Sequence, residues 1–456
     1  MMQNSSIKSL ILSAALFAAA SSGIAAQSLL DLPELLLRQQ TSSQDNPVKV
    51  EYNIDFHYFT DIRNFDACDE IFMLTNTYNV ARFSPSAILR FDQNRSITHR
   101  LAVGVDLTKN LGVNPTEVAN YSESEHDPSL RNSELIKDFF FYYNYRTRAG
   151  NGQLDLYAGI YPRTVLGGDY TRAIFADDLR YYDPNFEGIT VKYEAPRFKA
   201  ELTADIVGKR GIDRVGCEMV STAGAFKVLD WALLGWSGSY AHTSGNLLSG
   251  SDTDVALFNP YVKADLGQKL GMQVLSFKAG PIASYQLDYS ISVTDAETGE
   301  ERGDKAHFPM GVEAVFDVRN WGFGLENTFY YGDNQMVYRS STYDPISSAS
   351  AYAKTLYSGE TFYFTRRGYA SWYDRLELYW QPLASGFVNA RISAVCHFIT
   401  PSGEGEDRIG PFIGSQAKAT LIFNLDSFRH ARDNASSGRR QARQERPAQT
   451  GPAISL

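Results

Sequence analysis

The chain has 456 residues, a formal net charge of -9 and 21% charged residues, with a mean hydropathy of -0.28. No run of about 20 apolar residues is present to cross a bilayer as a helix, and the acidic balance argues against nucleic acid as the main partner. The three cysteines, Cys68, Cys217 and Cys396, have no CxxC spacing, which excludes a disulfide framework and a zinc–thiolate site.

In chain order, Lys8 precedes the apolar run Leu10 to Ala20, and small residues follow through Ala26. That order predicts a cleaved secretory leader over 1–26. The leucines of 27–47 suggest a short amphipathic helix outside the main fold, a periplasmic or plug-like element. From residue 48 onward the dominant signal is alternation with period two. Val50, Tyr52, Ile54, Phe56 and Tyr58 interleave with Glu51, Asn53, Asp55 and His57; Phe198, Ala200, Leu202, Ala204 and Ile206 interleave with Lys199, Glu201, Thr203 and Asp205. Successive strand side chains point to opposite faces, so each segment has one apolar and one polar face.

Strands are expected near 48–60, 84–92, 96–108, 134–147, 152–161, 186–195, 197–207, 213–226, 231–243, 254–265, 271–287, 307–318, 321–332, 369–381, 386–398 and 412–425. Many are long enough to cross a bilayer at a tilt, about 9 to 13 residues. Tight turns alternate with long loops at 61–83, 109–133, 162–185, 288–306, 333–368 and 399–411. Aromatic residues cluster toward strand ends, as at Phe139 to Tyr145 and at Tyr369, Trp372, Tyr373, Tyr379 and Trp380. Such rings favour a membrane interface. The expectation is an all-β transmembrane antiparallel barrel of about sixteen strands over 48–428, with short periplasmic turns, long extracellular loops and an aqueous lumen. The Arg-, Gln- and Pro-rich stretch 429–456 reads as a disordered basic tail.

Several stretches resemble porin-like outer-membrane proteins of the Bacteroidetes type: "LYAGIYPRTVLGG" (154–168), "DDLRYYDPNFEGITVKY" (177–193), "LFNPYVKADLGQKLG" (257–271), "LYSGETFYF" (356–364), "YDRLELYWQP" (373–382) and "QAKATLIFNL" (416–425). The chain departs from many barrels in ending on Ser455-Leu456 rather than on an aromatic residue. The resemblance implies an outer-membrane location, passive diffusion of small hydrophilic solutes or ions, and a third long loop folded into the lumen. It also implies contact with outer-membrane lipids and lipopolysaccharide, assembly by the barrel-assembly machinery, and a homotrimer.

The third loop, 162–185, offers Arg163, Asp169, Arg172, Asp177, Asp178 and Arg180 as a candidate constriction, opposed by wall residues such as Arg90, Arg100, Arg375 and Arg391. Parity places Arg90, Arg100, Asp106, Asp155, Lys192, Glu201, Glu313, Arg375, Glu377 and Arg391 toward the lumen, and His57 and His397 with them. Both signs occur in comparable number, so a weak cation bias at most is expected. No GxSxG, HExxH, P-loop or GxGxxG motif stands in its required context, and no two histidines have metal-ligand spacing. Neither an enzyme, a cofactor nor a metal is expected. The alternatives are a hydrophobic-solute channel with 27–47 as a hatch, a barrel-borne hydrolase, and an adhesive surface protein.

Overall fold

The protein is described from a computed structural model over residues 48–65, 76–94, 96–111, 136–175, 184–206, 216–244, 253–288, 293–294, 301–302, 305–333, 335, 371–384, 387–401 and 410–426. The expected leader 1–26, the segment 27–47 and the tail 429–456 lie outside these residues.

Strands dominate, and nearly all are long. They are β1 (Val48–Phe65), β2 (Asn76–Asp92), β3 (Ile97–Asn110), β4 (Ile136–Ala149), β5 (Gly152–Pro162), β6 (Asn185–Glu194), β7 (Phe198–Ile206), β8 (Gly216–Leu229), β9 (Ala232–Ser244) and β10 (Thr253–Asp265). A single helical turn, α1 (Gly267–Leu270), leads to β11 (Val274–Asp288). Three short strands follow: β12 (Val293–Thr294) and β13 (Glu301–Arg302) pair with each other, and β14 (Lys305–His307) pairs with β11. The rest are β15 (Met310–Asn320), β16 (Phe323–Gly332), β17 (Ser371–Ala384), β18 (Val388–Ile399) and β19 (Phe412–Asp426).

Each long strand pairs with the next, antiparallel, with β11 passing directly to β15. β1 pairs with both β2 and β19, in a register that runs from Asn53 opposite Asp426 to Phe65 opposite Gly414. The sixteen long strands therefore form a closed ring. Closure satisfies every ladder N–H and C=O and leaves no edge.

The alternation in sequence becomes the two faces of the wall. On β1, Glu51, Asp55, His57, Asp61 and Arg63 are buried inward, whereas Val50, Tyr52 and Ile62 are exposed outward. On β3, Arg100, Asp106 and Thr108 are buried, and Leu101 and Val103 exposed. On β7, Glu201, Thr203 and Asp205 are buried, and Leu202 and Ile206 exposed. This inverts the order of a water-borne protein, in which charged side chains are the ones left outside. The outward apolar face continues through Phe141, Val220, Leu234, Phe258, Val262, Phe277, Val312, Leu378 and Ile392. A contiguous band of that kind demands an apolar solvent.

One rim carries short connections and the other long ones. At 93–96, the Asn94 side chain accepts from the Ser96 and Ile97 amides at 2.8 and 2.9 Å. The β15–β16 turn is Trp321-Gly322, both with positive φ (52° and 82°). That is the pairing a two-residue hairpin turn needs to follow strand twist.

Three sequence expectations are corrected. The 61–83 loop is smaller: β1 runs on to Phe65 and β2 begins at Asn76. β2 and β3 keep one register through Ser84-Pro85-Ser86, from Phe83 opposite Leu107 to Ser86 opposite Gly104. The strand continues because the inward residues there, Arg82 and Ser84, both bond to Asp106 of β3. Second, the aromatic runs do not all face outward. Phe139, Phe141 and Tyr143 are exposed, but Phe140, Tyr330, Tyr373 and Tyr379 are buried. Strand parity, not proximity to a loop, assigns each ring its face. Third, the gap after β17 opens later, because β17 extends to Ala384 with a register shift between Trp380 and Leu383, at Pro382.

Candidate functional site: a folded loop across the lumen

After Pro162 the chain leaves β5 in a 3-10 turn (Arg163–Val165) and heads into the barrel. The Arg163 amide donates to the Pro184 carbonyl at 2.8 Å, which closes the loop at its base. Within 163–175 almost every polar group then meets the wall. Arg163 Nη2 lies 3.0 Å from Asp205 Oδ2 of β7, and its guanidinium lies 4.1 Å over the Phe186 ring of β6. The amides of Gly167 and Gly168 both donate to the Glu201 carboxylate, at 2.9 Å each. Gly168 is required there, since a Cβ would run into Ala223 and that same carboxylate. Lys192 Nζ donates to the Val165 carbonyl at 2.6 Å, and Lys199 Nζ to that of Gly167 at 3.1 Å.

The loop then crosses the bore. Asp169 sits between two lysines, Lys263 of β10 at 2.6 Å and Lys278 of β11 at 3.0 Å. Burial pushes its carboxyl up, but the Lys278 and Lys263 ammoniums overcome that and hold it at about 2. The Tyr170 hydroxyl is pushed far up by burial and then by the neighbouring Glu201 carboxylate. Thr171 donates to Glu313 of β15 at 2.6 Å, and its amide donates to Ser237 of β9 at 3.2 Å. Arg172 pairs with Glu326 of β16. Ala173 and Ile174 complete the crossing in an apolar cluster with Phe65, Leu257, Ile282, Tyr330, Tyr373 and Ile413.

Beyond the loop, the inward wall carries matched charges. Glu326 also receives Arg375 at 3.3 Å and lies 3.7 Å from Arg391. Glu377 binds Arg375 at 2.5 Å and Arg391 at 2.6 Å. The Arg391 guanidinium also stacks 3.8 Å over the Tyr379 ring. On β1 to β5, Arg90 and Arg100 share Glu51 at 3.1 and 3.3 Å. There too, Arg82 binds Asp106 at 2.5 Å, Arg63 binds Asp61 at 2.6 Å, and Arg146 binds Asp155 at 2.5 Å. His397 is fully buried between the Tyr373 hydroxyl, 3.0 Å from Nδ1, and Gln416, 3.1 Å from Nε2. Among the described residues, no cluster of His, Cys, Asp and Glu side chains could hold a metal ion.

Of the residues singled out from sequence, the fold brings Arg163, Asp169 and Arg172 onto the crossing segment. Lys192, Glu201 and Glu313 are among its anchors. Arg375, Glu377 and Arg391 form the cluster beside Arg172's partner. Asp177, Asp178 and Arg180 lie outside the described residues. Arg90 and Arg100 both pair with Glu51 on their own stretch of wall. Asp106 and Asp155 are likewise engaged with wall arginines. Sequence reasoning missed Lys263 and Lys278, although the odd-numbered parity of Leu257, Asn259 and Tyr261 carries directly to Lys263. It missed Asp61, Arg63 and Arg82 because they fell in the misread loop.

No family model matches the chain, and no curated protein matches it. Among solved structures it is similar to OmpF of Salmonella typhi in complex with daunomycin, at 11% identity and a TM-score of 0.43, covering 84% of this chain and 99% of that one. It is also similar to the outer membrane protein OprD from Pseudomonas aeruginosa, at 9% identity and a TM-score of 0.36, covering 83% and 94%. A third similar structure is Pseudomonas aeruginosa OpdK with vanillate, at 11% and 0.36, covering 83% and 99%.

The geometry allows two physical effects. The crossing segment divides the bore and narrows it. The wall around the remaining opening presents opposed carboxylates and guanidiniums at close range, a lining that water wets and that discriminates solutes by size and charge.

Proposed function

We propose that the protein is an outer-membrane diffusion channel whose bore is narrowed by the segment 163–175, passing small hydrophilic solutes or ions down their gradients. The observation that carries this is the closed ring with its two opposite faces: apolar side chains exposed outward, ionised side chains inward. A barrel of sixteen strands is too wide for its side chains to fill. Energy coupling is not part of the reading, because the ring closes at sixteen long strands, short of the 22 of plugged outer-membrane transporters. Nor is a catalytic site.

The finer parts of the proposal concern setting. The leader 1–26 directs export, the short-turn rim faces the periplasm, and the kinship lies with porin-like proteins of the Bacteroidetes type. A homotrimer is supported by Asn327 and Asp374, which meet at 2.7 Å on the outward face. A carboxylate turned toward lipid is costly, and a neighbouring copy would cover it.

Liposome swelling tests the reading. Proteoliposomes diluted into isotonic sugars are expected to swell at a rate that falls with sugar size. Swelling no faster than protein-free liposomes with every sugar, at verified insertion, would refute it.

A further inference from the structure

A run of aromatic rings leads from the crossing segment onto the wall of the bore. On the segment itself Tyr170 meets Phe175 edge-on at 4.8 Å. Phe175 meets Phe186 of β6 at 6.4 Å, and Phe186 meets Tyr161 of β5 at 5.8 Å. Tyr161 then touches Tyr157 of β5 at 5.8 Å and Tyr142 of β4 at 6.2 Å, and these last two lie 6.1 Å apart. Tyr161 and Phe186 are fully buried, whereas Tyr142 and Tyr157 are half-buried. Both half-buried rings belong to the inward face. Phe140 and Asn144, two residues either side of Tyr142, are buried, as are Asp155 and the remaining neighbour of Tyr157 by parity, at position 161. Tyr161, held to Thr190 at 2.8 Å, backs both rings.

The polar anchors of the crossing segment lie on β6, β7, β9, β10, β11, β15 and β16. The passage it leaves therefore runs along β3 to β5, bordered by the faces of Tyr142 and Tyr157. Around those faces the charges are engaged with one another. Arg146 pairs with Asp155 at 2.5 Å, and Gln153 donates to the same carboxylate at 2.6 Å. Arg100 lies 3.3 Å from Glu51 and donates to Asn144 at 3.0 Å. Such a lining offers no unbalanced charge to draw an ion of either sign. It offers two ring faces side by side, edged by an amide, guanidiniums and carboxylates that have more bonding sites than one partner fills. The complement is an uncharged ring with an apolar C–H face and a rim of hydroxyls that both donate and accept. A purely apolar solute would cover the rings but leave the groups at their edge without water, at a cost.

We propose that Tyr142 and Tyr157 form a stacking platform for pyranose sugars on the wall of the passage, with Asn144, Arg146 and Asp155 meeting the sugar hydroxyls. Two open faces, rather than a closed pocket, keep the contact weak enough to release the sugar onward, as conduction requires. The platform deepens the channel reading and rests on it for the route by which a sugar arrives.

Cellobiose is the probe, with acyclic sorbitol as its control. In a planar bilayer, cellobiose is expected to lower the ion current along a saturating curve, beyond the fall in bulk conductivity, whereas sorbitol lowers it only in proportion to bulk conductivity. Calorimetric titration of the detergent-solubilised protein is expected to show the same binding. Tyr142→Ala with Tyr157→Ala raises the half-saturating concentration by roughly tenfold, the effect of losing stacked ring contacts. Tyr142→Phe with Tyr157→Phe keeps both faces and stays within about twofold of the parent. Both variants are compared after checking that they keep the parent's resistance to unfolding in cold sodium dodecyl sulfate, and the phenylalanine pair carries the test should the alanine pair lose it. Equal saturation by sorbitol, an alanine pair that binds like the parent, or a phenylalanine pair that loses binding would overturn the platform. The two readings fail separately. A silent bilayer with calorimetric binding of cellobiose would refute the channel and leave the platform standing, and current with neither saturation nor binding heat would do the reverse.

Discussion

The fastening of Asp169 gives a quantitative test of the folded loop. Replacing Asp169 by Asn keeps its shape and removes the charge that Lys263 and Lys278 hold at 2.6 and 3.0 Å. The carboxyl stands at about 2 in the fold, against about 3.9 in an unfolded chain. At about 1.4 kcal/mol per unit, the charged form is favoured by roughly 2 to 3 kcal/mol. Since the folded value is depressed, this stabilisation is complete above about pH 4 to 5 and disappears as pH falls through about 2. Urea unfolding of parent and Asp169→Asn in the same detergent is therefore expected to differ by about 2 to 3 kcal/mol at pH 7, to keep that difference down to about pH 5, and to converge by about pH 2. Partial pairing of Lys278 with Glu313, at 3.8 Å, limits the loss rather than reversing it. A difference below about 0.5 kcal/mol at pH 7, the size expected of an exposed pair, or one that persists unchanged at pH 2, would refute the reasoning.

Three further outcomes follow from the wall. Val103 is exposed on the outward face of β3, so Val103→Arg is expected to cost about 2 to 4 kcal/mol in folding into liposomes, whereas Val103→Leu is near neutral. Glu326 is shared by Arg172, Arg375 and Arg391. Glu326→Gln leaves one extra positive charge at the narrowing and is expected to shift the reversal potential in a KCl gradient toward chloride, by roughly threefold for each ion and so about sevenfold in permeability ratio if the charge acts across about 7 Å of water. Cys396 is free and lies on the outward face between Leu376 and Ser415. In a Cys68→Ser, Cys217→Ser background it is expected to react with an apolar maleimide and not with a membrane-impermeant charged reagent, as judged by mass shift in proteoliposomes.

The wall was legible in the sequence because its signal is local. In β7, five apolar and four polar residues alternate without exception, and the observed faces follow that order. The same parity placed Glu201, Arg375 and Glu377 inward. What could not be read is anything that depends on a chain crossing the bore. Nothing in the local pattern says that Asp169 lies between Lys263 and Lys278, about 100 residues downstream, or that Thr171 meets Glu313. Those pairs are set by the curvature of a closed ring, which brings strands far apart in sequence to opposite ends of one short segment. The errors at Phe65 and Asn76 have a different origin. The alternation points to a strand only from Ser84, whereas β2 begins at Asn76 and carries Pro85 in its interior; a proline in a strand is tolerated when the ladder does not need its N–H and the inward neighbours are held, as Ser84 is by Asp106.

The most direct measurement is ion current through the purified protein in a planar lipid bilayer. Stepwise, long-lived increases in conductance that scale with bulk salt conductivity are expected, as for a watery bore. A bilayer that stays silent while the protein is demonstrably inserted, or protein that remains dissolved and folded without detergent, would contradict the account.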